Sequence, residues 1–364
     1  MVIPTPGRRL AVIDTNFPWK QSGFRYWENY EIYRQRPDTL FFATNPYTDW
    51  RGNQVSDNFP ANVHSFSQLV DQIYSEKITD IYCVFLNLAL SLIGNTCLPN
   101  GYTILGSRSE LNILPLVSDR KLKLHTTLYP GGGLSANTPF EISKLDSYYS
   151  TIFSNVQEVL KQYPGSIYVP GMINAEFYSL LPKPKTPPIR LVFSAHQGLR
   201  KNFPQMAEAF NQLDESFHLD IVGDWEDYLH LLINNNFTFH GLLEPEEVRD
   251  IYHQDHVFIS CSTADFSATD GFPTTAAGDA MSTGCLLVSS NPRRDSFVLL
   301  SGVDYLEITE TRSLVDILRW IKDHFDEAMA IGVSGTNKIR SRYDSKVVVS
   351  RKLEAMGLIK KGIF

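Results

Sequence analysis

Short apolar runs alternate with amphipathic segments along most of this chain. Runs rich in valine, isoleucine and phenylalanine predict buried strands, whereas apolar residues spaced three or four positions apart predict helices. Strands are predicted over residues 9–15, 38–44, 80–86, the start of 121–133, 150–155, 166–171, 189–196, 218–224, 237–243, 256–262, 285–290 and 305–308. Helices are predicted over residues 27–33, 66–74, 156–163, 202–212, 244–252, 276–281 and 314–325. This sustained alternation predicts two doubly wound α/β domains.

A proline-rich segment, Leu181–Pro188 (LPKPKTPP), is the clearest domain boundary in the sequence. Closely spaced prolines make a semi-rigid connection, and a length of 364 residues favours two domains. The expected organisation is a first domain over residues 1–180, a hinge over 181–188 and a second domain over 189–344.

The composition is that of a globular protein, with 43% apolar and 20% charged residues. The formal net charge of −7 argues against nucleic acid as a partner. The four cysteines form no CxxC pair, which favours free thiols in a reducing compartment. The amino terminus has no signal-peptide pattern, and the longest apolar run, Ile81–Ile93, is too short to span a bilayer. A cytoplasmic protein is therefore expected.

The stretch DGFPTTAAGDAMSTG, which begins at Asp270, carries the strongest candidate chemistry. It follows a predicted strand, turns at glycine and proline, and enters a helix that Thr274 or Thr275 can cap. A helix N-terminus after a strand presents unpaired N–H groups, which suit a phosphate. Asp270 and Asp279 bracket the turn and can accept hydrogen bonds from sugar hydroxyls.

The first predicted strand is followed by a loop that contains Ser22, Gly23 and Arg25. In open α/β sheets, ligands bind at such loops outside the carboxyl ends of the strands. These residues either approach a diphosphate or form a plain strand-to-helix turn. The loop lacks the GxGxxG pattern, which disfavours a dinucleotide-binding site. The aromatic residues around it either line an acceptor pocket or pack in the core: Phe17, Trp19, Phe24, Tyr26 and Trp27.

The stretch that begins at Asp270 resembles the donor-binding loop of the retaining GT-B glycosyltransferases of the family-4 type, the glycosyl transferases group 1. The resembled pattern is an acid, Gly-Phe, small residues, a second acid, then Ala-Met and a glycine. The two acids here are both Asp where Glu is usual, and they lie one position further apart than in the family (279 − 270 = 9). If this chain is aligned with the family pattern at Asp270, the second acid falls on Gly278. If it is aligned at Ala280 and Met281, the second acid falls on Asp279. We favour Asp279, because an insertion of one residue in the turn is easily absorbed.

The resemblance implies roles for residues elsewhere in the chain. Lys201 matches the diphosphate-binding lysine, with Arg200 beside it and His196 where the family has an arginine. Gly241 matches the nucleotide-base pocket, and His125, expected near the end of its strand, matches a histidine that faces the donor sugar. The implied catalytic residues are His125, Lys201 and Asp270. The implied donor-binding residues are Gly23, Arg200, Lys201, Gly241, Asp270, Gly271, Phe272, Pro273, Thr274, Thr275 and Asp279.

The resemblance further implies the GT-B fold, two doubly wound Rossmann-like domains that face each other across a cleft, with residues of about 345–364 packed back on the first domain. It implies transfer of a sugar from a nucleotide-diphosphate sugar to an acceptor hydroxyl, on a glycan, a lipid-linked or another acceptor, with retention, as in polysaccharide biosynthesis. No metal or cofactor is expected, because cationic side chains and helix N–H groups balance the diphosphate. The basic and apolar C-terminus, RKLEAMGLIKKGIF, adds peripheral contact with an anionic membrane as an expectation.

Two alternatives to this function stay open. One is a non-catalytic, nucleotide-binding partner or scaffold of the same fold, which the shifted second acid and His196 favour. The other is a nucleotide-sugar epimerase of the same fold, which needs no acceptor.

Overall fold

The computed structural model describes residues 2–56, 58–97, 101, 103–134, 143–184, 187–263 and 271–361. The chain divides into two compact units. The first unit is Met1–Gly171, Phe266–Gly271 and Ser345–Phe364, and the second unit is Met172–Asp265 and Phe272–Asp344.

Strands and helices alternate in the described ranges. The strands in chain order are β1 (Val2–Pro4), β2 (Leu10–Phe17), β3 (Leu40–Pro46), β4 (Val63–Ser65), β5 (Asp80–Val84), β6 (Lys123–Leu128), β7 (Tyr149–Ser154), β8 (Ile167–Tyr168), β9 (Ile189–Ser194), β10 (Phe217–Val222), β11 (Phe237–Gly241), β12 (Val257–Ser260), β13 (Leu286–Ser289), β14 (Leu306–Glu307) and β15 (Ile359–Lys361). The α-helices are α1 (Phe24–Gln35), α2 (Leu69–Ser75), α3 (Leu86–Leu92), α4 (Leu114–Arg120), α5 (Ser143–Tyr148), α6 (Gln157–Gln162), α7 (Phe203–Phe210), α8 (Pro245–Gln254), α9 (Thr275–Ser282), α10 (Leu314–Asp323), α11 (Phe325–Arg342) and α12 (Ser345–Ala355).

In the described part of the first unit, parallel strands form one sheet in the order β4-β3-β2-β5-β6-β7-β8. Every residue of β5 is buried, as expected for a central parallel strand with both faces covered. The chain runs outward from β2 through β3 to β4, and then in the opposite direction from β5 to β8. The strand order therefore reverses between β2 and β5, which makes this point the expected ligand edge of the sheet.

The second unit repeats this architecture. Its described strands form a parallel sheet in the order β11-β10-β9-β12-β13-β14. The strand order reverses between β9 and β12. One face of this sheet packs against α7 and α10 around buried Phe193, Phe203 and Trp225. The two doubly wound sheets confirm the predicted α/β fold class.

Helices α3, α4, α5 and α11 lie where the sequence patterns predict none. Helix α3 is buried on nearly all sides, so its sequence, LNLALSL, continues the apolar run of β5 without a helical period. Helix α11 contains Gly335, and a Cβ at this position would lie 2.1 Å from the carbonyl oxygen of Asp304. Glycine weakens the helical signal, but here it permits close packing of the helix against a loop.

The proline-rich segment is attached to the second unit. The Lys183 ammonium donates a hydrogen bond to the Tyr252 carbonyl oxygen, and the His256 ring lies 2.6 Å from the carbonyl oxygen of Pro184. The division between the units falls upstream of this segment, between Gly171 and Met172. The hinge expected over residues 181–188 stays a prediction, and Leu181–Pro184 is anchored rather than loose.

Candidate functional site

The loops that follow β9 and β12 meet at the point where the strand order of the second unit reverses. The backbone N–H of Thr263, just after β12, donates to the carbonyl oxygen of Arg200 at 2.8 Å. Strands β9 and β12 are adjacent and parallel, so their carboxyl ends lie at one edge of the sheet. Open α/β sheets bind ligands at such a point. This edge of the second unit is therefore the candidate donor site.

The β9 loop brings two cationic side chains to this edge. Gly198 is extended, residues Leu199–Lys201 form one 3₁₀ turn, and Asn202 is left-handed at φ 53°. Helix α7 begins directly afterwards, with proline in its first turn. Arg200 and Lys201 thus lie between the strand and the helix, as the sequence predicts for diphosphate-binding cations.

Helix α9 starts beyond the neighbouring strand, β12. Thr274 has extended backbone angles, and its hydroxyl oxygen accepts from the Ala277 N–H at 3.4 Å. Thr274 is thus the N-cap, and Thr275 is the first helical residue. The first turn of a helix has N–H groups that lack intrahelical partners and carries a partial positive charge. The structure therefore places a helix N-terminus beyond β12, the strand next to β9.

The end of β10 supports the β9 loop from the other side. Gly223 has φ 124°, and a Cβ there would lie 2.0 Å from the Ala195 carbonyl oxygen. The same oxygen accepts a hydrogen bond from the Trp225 indole at 2.7 Å, and the Asp224 carboxylate accepts from the Gln197 N–H at 2.6 Å. The sequence analysis does not single out Asp224, although the VGDW sequence after a strand could have indicated it.

Gly241 lies at the end of β11, the edge strand on this side of the sheet. Its φ is 70°, a conformation that favours glycine, and a Cβ would meet no atom within 4 Å. Its carbonyl oxygen accepts from the Gly223 N–H at 2.8 Å. Gly241 therefore borders open space beside β10, and its place in a base pocket stays a prediction.

Asp279 lies on the inward face of α9 and is only 6% exposed. Burial raises the pKa of its carboxyl group well above the ordinary value, and a hydrogen bond from Tyr178 opposes that shift. An acid at the neighbouring position would require a small shift of Ile173, because a Cβ on Gly278 would lie 3.0 Å from its side chain. The ribose contact of Asp279 stays a prediction, and it requires a carboxyl group that is largely covered by protein.

The loop before α9 is described only from Gly271 onward. Asp270, the predicted sugar-orienting acid, lies outside the described residues. A Cβ on Gly271 would lie 2.9 Å from the amide nitrogen of Asn155, so the backbone here runs close to that side chain. The Phe272 ring packs against Tyr305 with centroids 4.9 Å apart, and the bond from Phe272 to Pro273 is cis.

The expectation that His125 lies near the end of its strand is wrong. It is the third of six residues of β6, and it is 1% exposed. Its Nε2 lies 2.9 Å from the Asp80 carboxylate. Burial lowers the pKa of the ring, and the hydrogen bond to Asp80 raises it in part. A covered side chain in the first half of a strand does not reach the ligand edge, so the structure does not support the catalytic assignment.

The first unit has its own ligand edge, between β2 and β5. Gly23, at φ 64°, precedes α1, and the Arg25 guanidinium lies 5.5 Å from the centroid of the Phe85 ring. Phe85 follows β5 with φ 81°, a strained conformation for a residue other than glycine. A Cβ on Gly132 would lie 2.3 Å from the Phe85 Cβ, so only glycine fits below this residue. The predicted contact of Gly23 with the donor stays a prediction.

The aromatic residues around this edge divide into two groups. Phe17, Tyr26 and Trp27 are buried and pack in the core. Trp19 and Phe24 are partly exposed, and the Phe24 ring packs edge-on against Tyr129 at 4.8 Å between centroids. Of the residues proposed for an acceptor pocket, Trp19 and Phe24 are therefore the two that the core does not bury.

The C-terminus offers less apolar surface to a membrane than its sequence indicates. Leu358 and Ile359 are buried, and β15 pairs antiparallel with β1. Ile363 and Phe364 lie outside the described residues. In the part of the chain that the structure describes, no helix is long and apolar enough to cross a membrane.

Comparisons with known proteins bear on the fold and the family. Residues 181–297 match the family model described as "Glycosyl transferases group 1". No curated protein matches. The structure of HepE from Anabaena in complex with UDP and glucose is similar, with 12% sequence identity, a TM-score of 0.66, and coverage of 96% of this chain and 99% of that one.

Two further solved structures are similar over nearly their full lengths. A glycosyltransferase from Rickettsia africae has 10% identity and a TM-score of 0.67, with coverage of 96% of this chain and 98% of that one. Sucrose-phosphate synthase from Thermosynechococcus elongatus has 11% identity and a TM-score of 0.65, again with 96% and 98% covered. At these identities the likeness shows the fold alone. The fold that this chain shares with them is the GT-B fold, and the match to the glycosyl transferases group 1 model covers residues 181–297.

Proposed function

We propose that the protein transfers a sugar from a nucleoside-diphosphate sugar to an acceptor hydroxyl, with retention at the anomeric carbon and without a metal ion. The hydrogen bond from the Thr263 N–H to the Arg200 carbonyl, 2.8 Å long, carries this proposal. It joins the cationic β9 loop to the segment that leads toward α9. The structures of HepE contain UDP, with glucose in one case, and UDP-glucose. That supports uridine-diphosphate sugars as the first donors to test.

The chemical need is to stabilise the departing diphosphate. As the bond between the sugar carbon and the phosphate oxygen breaks, negative charge grows on that oxygen. Arg200 and Lys201 supply charge-assisted hydrogen bonds, and the first-turn N–H groups after Thr274 supply further donors. These groups perform the charge stabilisation that a metal ion provides in other transferases.

The remaining assignments follow the sequence pattern. Asp270 orients the donor sugar, Asp279 binds the ribose and Gly241 borders the base. The acceptor binds at the ligand edge of the first unit, where Phe24, Arg25 and Phe85 contact one another. His125 has no part in this proposal.

The test is a panel of nucleotide sugars, beginning with UDP-glucose and UDP-galactose, in which release of the nucleoside diphosphate is measured. We expect release from one donor, loss of release in Lys201→Ala, and no change with EDTA. Lys322→Ala is the matched control, because Lys322 is a lysine of the same unit that is paired with Asp214. Proton NMR of the product reports retention or inversion. Failure of every nucleotide to bind contradicts the proposal.

A non-catalytic nucleotide-binding protein is the second candidate. Two observations favour it: Asp279 is almost covered, and His196 stands at the position of the family's arginine, 70% exposed and 3.7 Å from Asp224. Nucleotide affinity without release from any donor supports this candidate. An epimerised nucleotide sugar formed without an acceptor supports the epimerase alternative.

A further inference from the structure

A tight turn after β3 presents an exposed tryptophan. The Asp49 carboxylate accepts from the N–H groups of Arg51 and Asn53, both at 2.8 Å, and from the Asn53 side-chain amide at 2.9 Å. The Asp49 N–H donates to the Asn53 carbonyl at 2.9 Å, and Gly52 has φ 84°. The turn is therefore fixed by its own hydrogen bonds, so that little conformational entropy is lost when it binds a ligand.

Trp50, at the tip of this turn, is 62% exposed. The Arg51 guanidinium lies 4.7 Å from the centroid of its ring, and this cation–π contact further orients the indole. Tryptophan usually gains more from burial than smaller side chains do. Trp50 therefore offers a largely exposed aromatic face, held on a turn that its own hydrogen bonds fix, for contact with a ligand.

Hydrogen bonds connect the turn to the ligand edge of the first unit. The Asn16 side-chain amide donates to the Asp49 carbonyl at 2.7 Å and to the Thr48 hydroxyl at 3.1 Å. The Asn16 carbonyl oxygen in turn accepts from the Arg25 guanidinium at 3.4 Å. Arg25 lies over Phe85, so Trp50 is joined through Asn16 to the proposed acceptor site.

We propose that Trp50 is a remote acceptor subsite that stacks on a sugar ring of an extended oligosaccharide. This inference rests on the proposed function, because it assigns the substrate class of the same acceptor edge. The flat indole matches the apolar C–H face of a pyranose, while the indole N–H and the Arg51 guanidinium can donate to its hydroxyl groups. The reacting end of the glycan lies nearer Arg25 and Phe85.

The test compares Trp50→Ala with a matched control, Tyr74→Ala. Tyr74 is also an exposed aromatic residue of the first unit, at 45%, and the Arg120 guanidinium lies 3.8 Å from the centroid of its ring. It lies in the last turn of α2, next to Glu76, whose carbonyl oxygen accepts from Arg9 just before β2. Tyr74 is therefore at the opposite end of the strands from Trp50.

Binding is measured on an array of oligosaccharides of two to six sugars. We expect wild type and Tyr74→Ala to prefer the longer glycans. The affinity of Trp50→Ala for these longer glycans should be about three- to tenfold lower. Nucleotide release from the donor without an acceptor should stay at the wild-type rate in Trp50→Ala. The inference is overturned if wild type and Trp50→Ala retain long glycans equally, or if wild type retains none. In either case, cleavage of the donor still supports the proposed function. Absence of donor cleavage in wild type removes the proposed function and this inference with it.

Discussion

The ammonium group of Lys352 lies 2.6 Å from the Glu28 carboxylate, and both side chains are excluded from solvent. Lys352 also lies 3.0 Å from the Tyr82 hydroxyl and 3.1 Å from that of Tyr129. Burial lowers the pKa of this lysine, and Glu28 raises it in part. A buried pair of this kind links α12 to α1 across 324 positions of sequence.

Removal of one partner from this pair should destabilise the protein strongly. Lys352→Met leaves the Glu28 carboxylate buried without its cation, which typically costs about 3–5 kcal/mol. The double variant Glu28→Gln with Lys352→Met removes both charges and should recover much of that loss. Urea denaturation of the three proteins measures the difference. A single variant that unfolds at the wild-type urea concentration would show that the pair contributes little.

Lys201→Ala should weaken binding of the free nucleoside diphosphate. A hydrogen bond to a charged group contributes about 1.5–3 kcal/mol, which corresponds to roughly ten- to a hundredfold in the dissociation constant. Turnover should fall as well, because the leaving group gains charge in the transition state. Calorimetry with UDP and steady-state rates give both values, with Lys322→Ala as the control. Unchanged affinity in Lys201→Ala would place the donor elsewhere.

Asp279 should make stability depend on pH. Its pKa in the folded protein is well above the ordinary value, so above the unfolded pKa of about 3.9 the folded state binds more protons than the unfolded state. The stability that Asp279 contributes is therefore present at low pH and lost as the pH rises through the folded pKa. The asparagine in Asp279→Asn does not titrate. The stability of this variant relative to wild type should therefore increase as the pH is raised from 4 to 8. Thermal unfolding across that range tests this, and a constant difference contradicts it.

Gly132→Ala should distort the ligand edge of the first unit. Gly132 has φ 56°, and the added Cβ would lie 2.3 Å from that of Phe85. Gly7→Ala is the matched control, since Gly7 has φ 73° with no atom within 4 Å of its Cβ position. Both variants carry backbone strain, but only Gly132→Ala adds a clash, which should cost about 1–3 kcal/mol more. Chemical denaturation measures this, and equal destabilisation would mean that the loop moves away freely.

His125→Asn should affect stability and leave catalysis intact. The ring is buried and hydrogen-bonded to Asp80, so a poorer fit costs about 1–3 kcal/mol. Turnover of the folded variant, measured well below its melting temperature, should match that of wild type. A large loss of turnover with unchanged stability would restore His125 as a catalytic residue.

The alternation of apolar runs predicts most of the fold because parallel strands are buried on both faces and read as continuous apolar segments. The same property hides α3, whose residues are apolar on nearly every side. The loop that contains Arg200 and Lys201 could be predicted because strand ends and helix starts have local signals. Its pairing with Thr263 could not, because it joins backbone groups that are distant in sequence.

The candidate site shows a similar division. The sequence identifies Thr274 or Thr275 as the N-cap, since capping depends on adjacent residues. It does not reveal that Asp279 is covered, because burial is set by tertiary packing, and the hydrogen-bond partner of Asp279, Tyr178, is far away in the chain. For the same reason the sequence places His125 near a functional edge, whereas the pairing of β5 with β6 puts it opposite Tyr82, where its ring reaches the Asp80 carboxylate.

The position of α12 has a consequence for biosynthesis. The residues of the second unit all precede Ser345 in the chain, whereas the first unit is completed only by residues from Ser345 onward. Glu28 emerges from the ribosome early and receives its cation, Lys352, only after the residues of the second unit have been synthesised. Domains generally fold in the order of their synthesis, but here the first unit cannot be completed before α12 has been synthesised. A chain released before Lys352 would contain a complete second unit and a first unit with an uncompensated buried carboxylate.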